Sequence, residues 1–353
     1  MDKNAAERRG RPDRTMGASS RLGFLKRLVL AGIHLLVPLH TGLLLAYYLV
    51  RWLGGQDFWF IDALSYILPW LFVPTVLLLP LSWLAHRRVW RIVALVPVLL
   101  FVGTYGALFC PRIPAPVTSP AFTAMTYNVL YLNSDVDGVV ASIEAQDADI
   151  VGLRELTPEV AAPLAERLAL RYPHHRLDTW CGLWTRLPIL AYESFRLDEG
   201  RGQPAQQALV DVGGRAVTVL SVHPRSPPLR GFHLFGLPLG IPTGFFNQGR
   251  DADMRSLLAR IDQIEGPVVV IGDLNLTDQQ SLYPALMRRL RDAHREAGWG
   301  MGFTFTRFRG LELPMWRIDY VLHTPDLVAV RTAVGEYGGS DHRPVWAELG
   351  FVE

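Results

Sequence analysis

Near its C-terminus the chain reads GSDHRPVWAEL, residues 339–349, with Ser340, Asp341 and His342 side by side just before a strand-like run. A small turn residue, a carboxylate and an imidazole suit a site that handles phosphate with a metal. The carboxylate offers hard oxygen to the ion and the imidazole moves or holds a proton. Asp-His pairs are frequent by chance. This one gains weight from earlier polar residues that each close or sit within an apolar, β-prone run. Asn128 follows AFTAMTY, Glu155 ends ADIVGLRE, and His223 ends AVTVLSVH. Asp273 and Asn275 follow the four β-branched residues Val268 to Ile271, and Asp319 lies within WRIDYVLH. Polar groups at strand ends converge on one edge of a sheet, where α/β folds build their sites.

The elements that must hold these residues are readable as period and run length. Strands are predicted at 122–127, 149–154, 181–185, 206–211, 215–222, 268–272, 317–322 and 343–349, and helices at 136–146, 158–169 and 251–264. With 353 residues, the chain can hold a membrane segment and one domain of about 230–240 residues, large enough to bury a sizeable core.

In order and type, the clusters resemble the endonuclease/exonuclease/phosphatase superfamily, the deoxyribonuclease I-like fold. The family's pattern is a strand ending in Asn, a Gln-Glu carboxylate, a strand ending in His, GDxN, a strand carrying Asp, and SDH. It is met here by Asn128, Glu155, His223, Asp273 with Asn275, Asp319, and Asp341 with His342. GLWTRLPI, residues 182–189, is similar to a further strand and turn of the family. One departure is Arg154, which stands where the family has Gln before the metal-binding Glu. The resemblance implies a four-layer, two-sheet α/β sandwich from about Phe122 to the end of the chain.

It also implies roles. Glu155 anchors Mg²⁺, with Mn²⁺ as the alternative ion, and Asn128 and Asp341 complete or orient that shell. Asp273 is the general base for the attacking water, and Asn275 donates to the phosphate or to that water. His342, oriented by Asp319, donates to a phosphoryl oxygen. His223 binds phosphate or protonates the leaving oxygen. Arg154, Arg186, Arg225 and Arg343 lie beside the motifs, and Arg154 and Arg225 are the candidates for substrate phosphate. His174, His175 and His294 show no ligand spacing and are expected to be structural.

The first 111 residues differ in kind. They carry 12 Lys/Arg against 5 Asp/Glu, whereas residues 112–353 carry 23 against 28. An acidic catalytic domain is not the footprint of a non-specific DNA binder. Residues 1–21 are polar and Arg-rich and are expected to be a disordered cytoplasmic tail. Three apolar runs, about 24–50, 64–85 and 92–110, approach or exceed the roughly 20 residues of a spanning helix, and define a three-helix transmembrane anchor at 22–111. Basic flanks before the first run and in the second loop place the N-terminus in the cytoplasm and the catalytic domain, 122–353, outside. A stiff Pro-rich linker, 112–121, joins them. The two cysteines, Cys110 and Cys181, are expected to be separate thiols.

After His223 comes a Gly- and Pro-rich apolar segment, 226–249, which includes Phe235. Its length and composition suggest a flap that touches lipid or grips an acyl or isoprenoid tail. The layout as a whole resembles the bacterial membrane branch of the family associated with teicoplanin resistance. By that analogy the chain is a membrane phosphohydrolase acting outside the cell membrane on a lipid-linked phosphate or pyrophosphate, undecaprenyl pyrophosphate among them. The alternatives are an extracytoplasmic Mg²⁺-dependent nuclease and a non-enzymatic membrane interaction protein. Nothing in the sequence specifies the oligomeric state.

Overall fold

A computed structural model describes residues 18–54, 58–85, 87–112, 117–234, 237–308, 311–336 and 338–352, without side chains at 18–22, 118–120, 229–243 and 307–311. Most of the expected N-terminal tail, and the side chain of Phe235, lie outside the described residues. The chain divides into two compact units. One comprises residues up to Tyr48 together with Leu71–Phe101, the other Leu49–Trp70 together with Val102–Glu353.

The smaller unit is helical. It takes in most of α1 (Ala18–Trp52), α3 (Val73–Ser82) and most of α4 (Arg88–Tyr105). Ile33, Val37, Ala85 and Ala94 pack inside it, with Leu30, Leu78 and Leu79 against them. Thr41 Oγ1 donates to the Val93 carbonyl, and the His40 ring meets Thr75 Oγ1 at 2.9 Å. Leu35, Leu43, Val76 and Leu99 are exposed on its outside. This is the reverse of a water-soluble helix bundle, whose apolar stripe faces inward. Gly23–Trp52 and Arg88–Phe109 are each long and apolar enough to cross a membrane. The expected second run is not one straight helix. It breaks into α2 (Trp59–Leu71) and α3, bent by 52°.

The larger unit is built on two six-stranded sheets. The first runs β15-β16-β1-β2-β4-β3, formed by Leu327–Val334, Val345–Phe351, Thr118–Asn128, Ile150–Leu156, Trp180–Thr185 and His174–Asp178 in that order. The second runs β11-β14-β10-β7-β6-β5, formed by Arg291–Asp292, Asp319–His323, Val268–Asp273, Arg215–Val222, Pro204–Val212 and Ile189–Arg196. Only β1 with β2 and β7 with β10 are parallel among these neighbours, and both pairs lie at the centre of their sheet.

Strand alternation sorts the core. In β10, Val269 and Ile271 point between the sheets, where they meet Ile150, Leu183, Val219, Val345 and Leu349. Val268 and Val270 point outward, onto Met254, Leu257 and Ile261 of α7 (Gln248–Ile261). On the far side, Val139 and Ile143 of α5 (Val136–Gln146) cover Met125, Val151 and Leu153, as do Val160 and Leu164 of α6 (Pro158–Leu168). Helix, sheet, sheet, helix is the expected four-layer sandwich.

Two strands form within residues 226–249. Leu229–Leu234 (β8) pairs antiparallel with Leu237–Phe245 (β9) in a separate two-stranded ribbon. Register shifts on both sides of Gly231 absorb the misfit of this Gly- and Pro-rich sequence. A second ribbon joins Phe305–Phe308 (β12) to Leu311–Trp316 (β13). Cys110 and Cys181 are unpaired thiols.

Candidate active site

The motif residues meet at the ends of β1, β2, β7, β10, β14 and β16. Asn128, the last residue of β1, ties the two sheets together. Its Nδ2 donates to Glu155 Oε1 at 2.9 Å and to Asp273 Oδ2 at 3.1 Å. Glu155 reaches the cleft because β2 bulges there: Arg154 pairs with Cys181, Leu156 pairs with Trp180, and Glu155 between them is left-handed at φ 54°. A non-glycine residue in that region costs of order 1–3 kcal/mol and clusters at functional sites. Leu130, Trp180 and Asn275 are also left-handed, and all four line the same cavity.

Gly272 in the GDLN turn has a steric reason. A Cβ there would lie 1.9 Å from the Val222 carbonyl oxygen, so only glycine lets β10 approach β7 one residue before Asp273 and His223. Asp273 is buried. Its Oδ1 accepts from the Asn275 N–H at 2.9 Å, while Oδ2 lies 3.5 Å from His223 Nε2 and 3.6 Å from His342 Nε2. Burial, with Asp319 nearby, raises its pKa above the usual carboxylate value.

His342 is held at its other nitrogen. Nδ1 meets Asp319 Oδ2 at 2.7 Å, and that oxygen also accepts from Thr304 Oγ1 at 2.6 Å. The Phe305 ring stands edge-on to the imidazole at 5.1 Å. Burial disfavours its charge, but Asp319 and then Asp273 outweigh it, and the pKa is pushed up to about 10. His342 is a cation at neutral pH. His223 behaves oppositely: enclosure pulls it down to about 4, against the attraction of Asp273. At rest its ring is neutral and offers a hydrogen bond to a phosphate or leaving oxygen.

Asp273, Asp319 and His342 place ligand atoms within 4.8 Å of one another. Within this trio the His342 ring bridges the two carboxylates, Nδ1 on Asp319 and Nε2 toward Asp273. Glu155, Asp341 and Asn128 offer hard oxygen beside them, the chemistry of a Mg²⁺ or Mn²⁺ site. Glu155 and Asp341 line the cavity, and burial together with the charge on Glu155 raises the Asp341 carboxyl. A divalent cation fits this concentration of carboxylates.

The arginines are placed differently from expectation. Arg154 is fully buried and donates from Nη1 to the Pro204 carbonyl at 3.0 Å. Arg225 is clasped by Asp253 at 2.8 Å and Asp198 at 2.6 Å. Neither lines the cavity. Arg186 pairs with Asp147 and Asp149, and Arg343 donates to the Gly335 carbonyl. Each guanidinium found a nearer acceptor than a substrate. Arg317 does not pair with Asp319 but with Asp292 and Asp278.

The cavity holds about 950 Å³. One side carries Glu155, His223, Asp273, Asn275, Asp341 and His342, and Tyr131, Trp180, Phe245, Phe305 and Trp316 surround them. Sequence reasoning missed the remaining wall, which is α2: Trp59, Phe60, Ala63, Leu64, Tyr66 and Ile67 all line it. The Tyr66 hydroxyl donates to the Asn275 carbonyl. Buried Arg250 binds Asp62 of α2 at 3.2 Å and Asp251 at 2.8 Å. The one signal for this wall was an acidic residue, Asp62, beside an apolar run. Thr304 was also missed, since a lone Thr in a turn carries no pattern.

A two-sheet sandwich with acidic, amide and imidazole groups at one edge defines a class of phosphoester hydrolases. The chain belongs to the endonuclease/exonuclease/phosphatase family, whose model matches residues 125–342. No curated protein matches the sequence. Solved structures agree in fold. A family member from Beutenbergia cavernae DSM 12333 is 23% identical with a TM-score of 0.52, covering 66% of this chain and 72% of its own. A mannosyl-6-phosphatase from Bacteroides thetaiotaomicron VPI-5482 is 17% identical, TM-score 0.52, covering 65% and 100%. Sphingomyelinase C from Streptomyces griseocarneus is 18% identical, TM-score 0.50, covering 65% and 99%.

Proposed function

We propose that this hydrolase is a membrane-anchored, divalent-metal-dependent phosphohydrolase that acts at the extracytoplasmic face on a lipid-linked phosphate or pyrophosphate. Undecaprenyl pyrophosphate is a candidate by analogy with the membrane branch noted above. One observation carries the reading: the cavity joins the phosphate-handling cluster to a largely apolar lining with no Lys or Arg among its described residues. Nucleic acid, a chain of phosphates, calls for several cations along its path. One phosphoryl head with a hydrocarbon tail calls for a polar end and an apolar one.

The residues take the following parts. Glu155, Asp341 and Asn128 would hold Mg²⁺ or Mn²⁺, which supplies positive charge against the phosphoryl oxygens. Asp273, with its raised pKa, takes a proton from the attacking water. Asn275 orients that water or the phosphate, with one amide N–H already committed to the Pro224 carbonyl. His342, charged and fixed by Asp319, donates to the phosphoryl oxygen on which charge builds. His223 binds phosphate through its neutral ring.

Purified full-length protein with Mg²⁺ is to be given isoprenoid pyrophosphate, phospholipid and DNA, with His342→Ala as the blank. Consumption of the lipid-linked phosphate is expected. Consumption of DNA alone overturns the proposal in favour of a nuclease, and equal turnover by Asp273→Ala and wild type would leave a non-enzymatic partner. A reporter fused to the C-terminus checks the orientation.

A further inference from the structure

The second apolar helix has two faces with different tasks. Its buried positions, Ile61, Asp62, Ser65 and Leu68, turn into the larger unit. Asp62 Oδ2 accepts from Arg250 Nη2 at 3.2 Å and from Asn247 Nδ2 at 3.1 Å, and the Ser65 carbonyl accepts from Thr277 Oγ1 at 3.4 Å. Tyr66 adds its bond to the Asn275 carbonyl and an edge-on contact with Phe245 at 5.4 Å. These bonds hold α2 in one register against the catalytic loop. The other face presents Phe60, Ala63, Leu64 and Ile67 to the cavity. Their spacing of three and four makes one stripe along about two turns, roughly 10 Å. Ala63 is its small member, and leaves a shallow trough between the larger neighbours.

We infer that this stripe is a subsite for the hydrocarbon chain of the substrate, the part adjoining the phosphoryl head. The inference rests on the lipid-phosphate reading above and adds which element recognises the tail. The tail is gripped by a segment of the apolar N-terminal region, with Phe245, Phe305 and Trp316 lining the same cavity. The occupant is a chain and not a second protein, because the trough opens onto groups suited to a single phosphoryl group, and no Lys or Arg among the described residues lines it to receive an acidic partner. Selectivity for chain length then belongs to α2, and turnover to the strand ends.

The experiment uses the full chain in lipid nanodiscs and a series of prenyl phosphates that share one head and differ in length. Wild type is expected to prefer a fifteen-carbon over a five-carbon chain by at least about tenfold in kcat/KM. Ala63→Trp fills the trough and Ile67→Glu places a charge in it, and each should cut that ratio to near one. Phe60→Ala, a milder change at a half-exposed position, should lower it by a smaller factor. A ratio unchanged in all three overturns the inference, as does a ratio lost only on deleting residues 229–243. Binding is read separately in His342→Ala, from quenching of tryptophan fluorescence by a brominated alkyl phosphate. That quenching should fall in the double variant with Trp59→Phe. No quenching overturns the subsite. Quenching in a protein whose wild type cleaves only DNA keeps the subsite and rejects the proposed reaction.

Discussion

Two buried clusters of charge lie in the same sandwich, and they are balanced in opposite ways. In one, Arg317 meets Asp292 at 2.8 Å and Asp278 at 3.2 Å, and Arg295 meets Asp278 at 2.6 Å. Two cations face two anions, and Tyr283 adds a bond to Asp292. Burial works against both carboxylates, yet Arg317 leads in pulling each below its ordinary pKa. In the other, Glu155, Asp273, Asp319 and Asp341 gather around His342, which pairs directly with Asp319 and Asp273. Asp273 and Asp341 are pushed up, and Asp319 keeps one buried oxygen without a hydrogen bond. A closed, neutral network is scaffold. An open one with surplus negative charge suits a divalent ion, as the proposed function requires.

The contrast can be broken by experiment. The largest effect is expected at the unbalanced cluster: a chelator, or Glu155→Gln, should lower turnover about 10⁴-fold while leaving the folded protein intact. Restoration by Mg²⁺ or Mn²⁺ after chelation checks it. Next, Arg317→Met leaves buried Asp292 without a cation and Asp278 with Arg295 alone, and should cost about 3–5 kcal/mol in stability, seen as a lower melting temperature. The same change should not move metal affinity.

Asp319→Asn tests the one cation at the site. Pairing raises the His342 pKa to about 10, so its contribution is complete below the ordinary 6.5 and fades as pH passes about 10. Wild-type activity should hold on the alkaline side up to that region. In Asp319→Asn the limb should move toward neutral pH, with about a 10²-fold loss at pH 8, checked by pH–rate profiles. For Asp278 and Asp292 the sign is reversed. Their lowered pKa values add stability that is present above about 3.9 and lost as pH falls through the depressed values. Denaturant titrations between pH 7 and 3 should show that loss in wild type and less of it in Asp292→Asn. The smallest effect belongs to the exposed pair of Arg186 and Asp147, where Asp147→Asn should change stability by less than about 1 kcal/mol.

How much of this was legible follows from what each residue says locally. Val268–Ile271, followed by Gly-Asp-Leu-Asn, announces a buried strand and a polar turn, because β-branched runs and a glycine have few other uses. The three predicted helices, at 136–146, 158–169 and 251–264, formed within a few residues of their expected bounds. Strands β3, β5 and β15 were missed; they are largely half-buried or exposed, without the fully buried pattern of β10. The ribbon at 229–245 was hidden by its glycines and prolines. Arg154 read as a phosphate ligand from its neighbour Glu155, but it is buried between the sheets and donates to the Pro204 carbonyl of the other sheet. The wall formed by α2 was illegible for a deeper reason: a helix that faces hydrocarbon and one that faces an apolar cavity have the same composition. What distinguishes them is Asp62, whose partner Arg250 lies 188 residues away.

That fastening has a practical consequence. A chain begun at the Pro-rich linker would keep every motif residue yet lose the acid that holds Arg250 and the phenol that braces Asn275. Among the described residues, Arg250 would keep only Asp251 as a carboxylate partner, and the turn carrying Asn275 would lose two of its braces. A shortened chain begun at residue 112 is therefore expected to be less stable than one begun before residue 59, which thermal unfolding of the two would show.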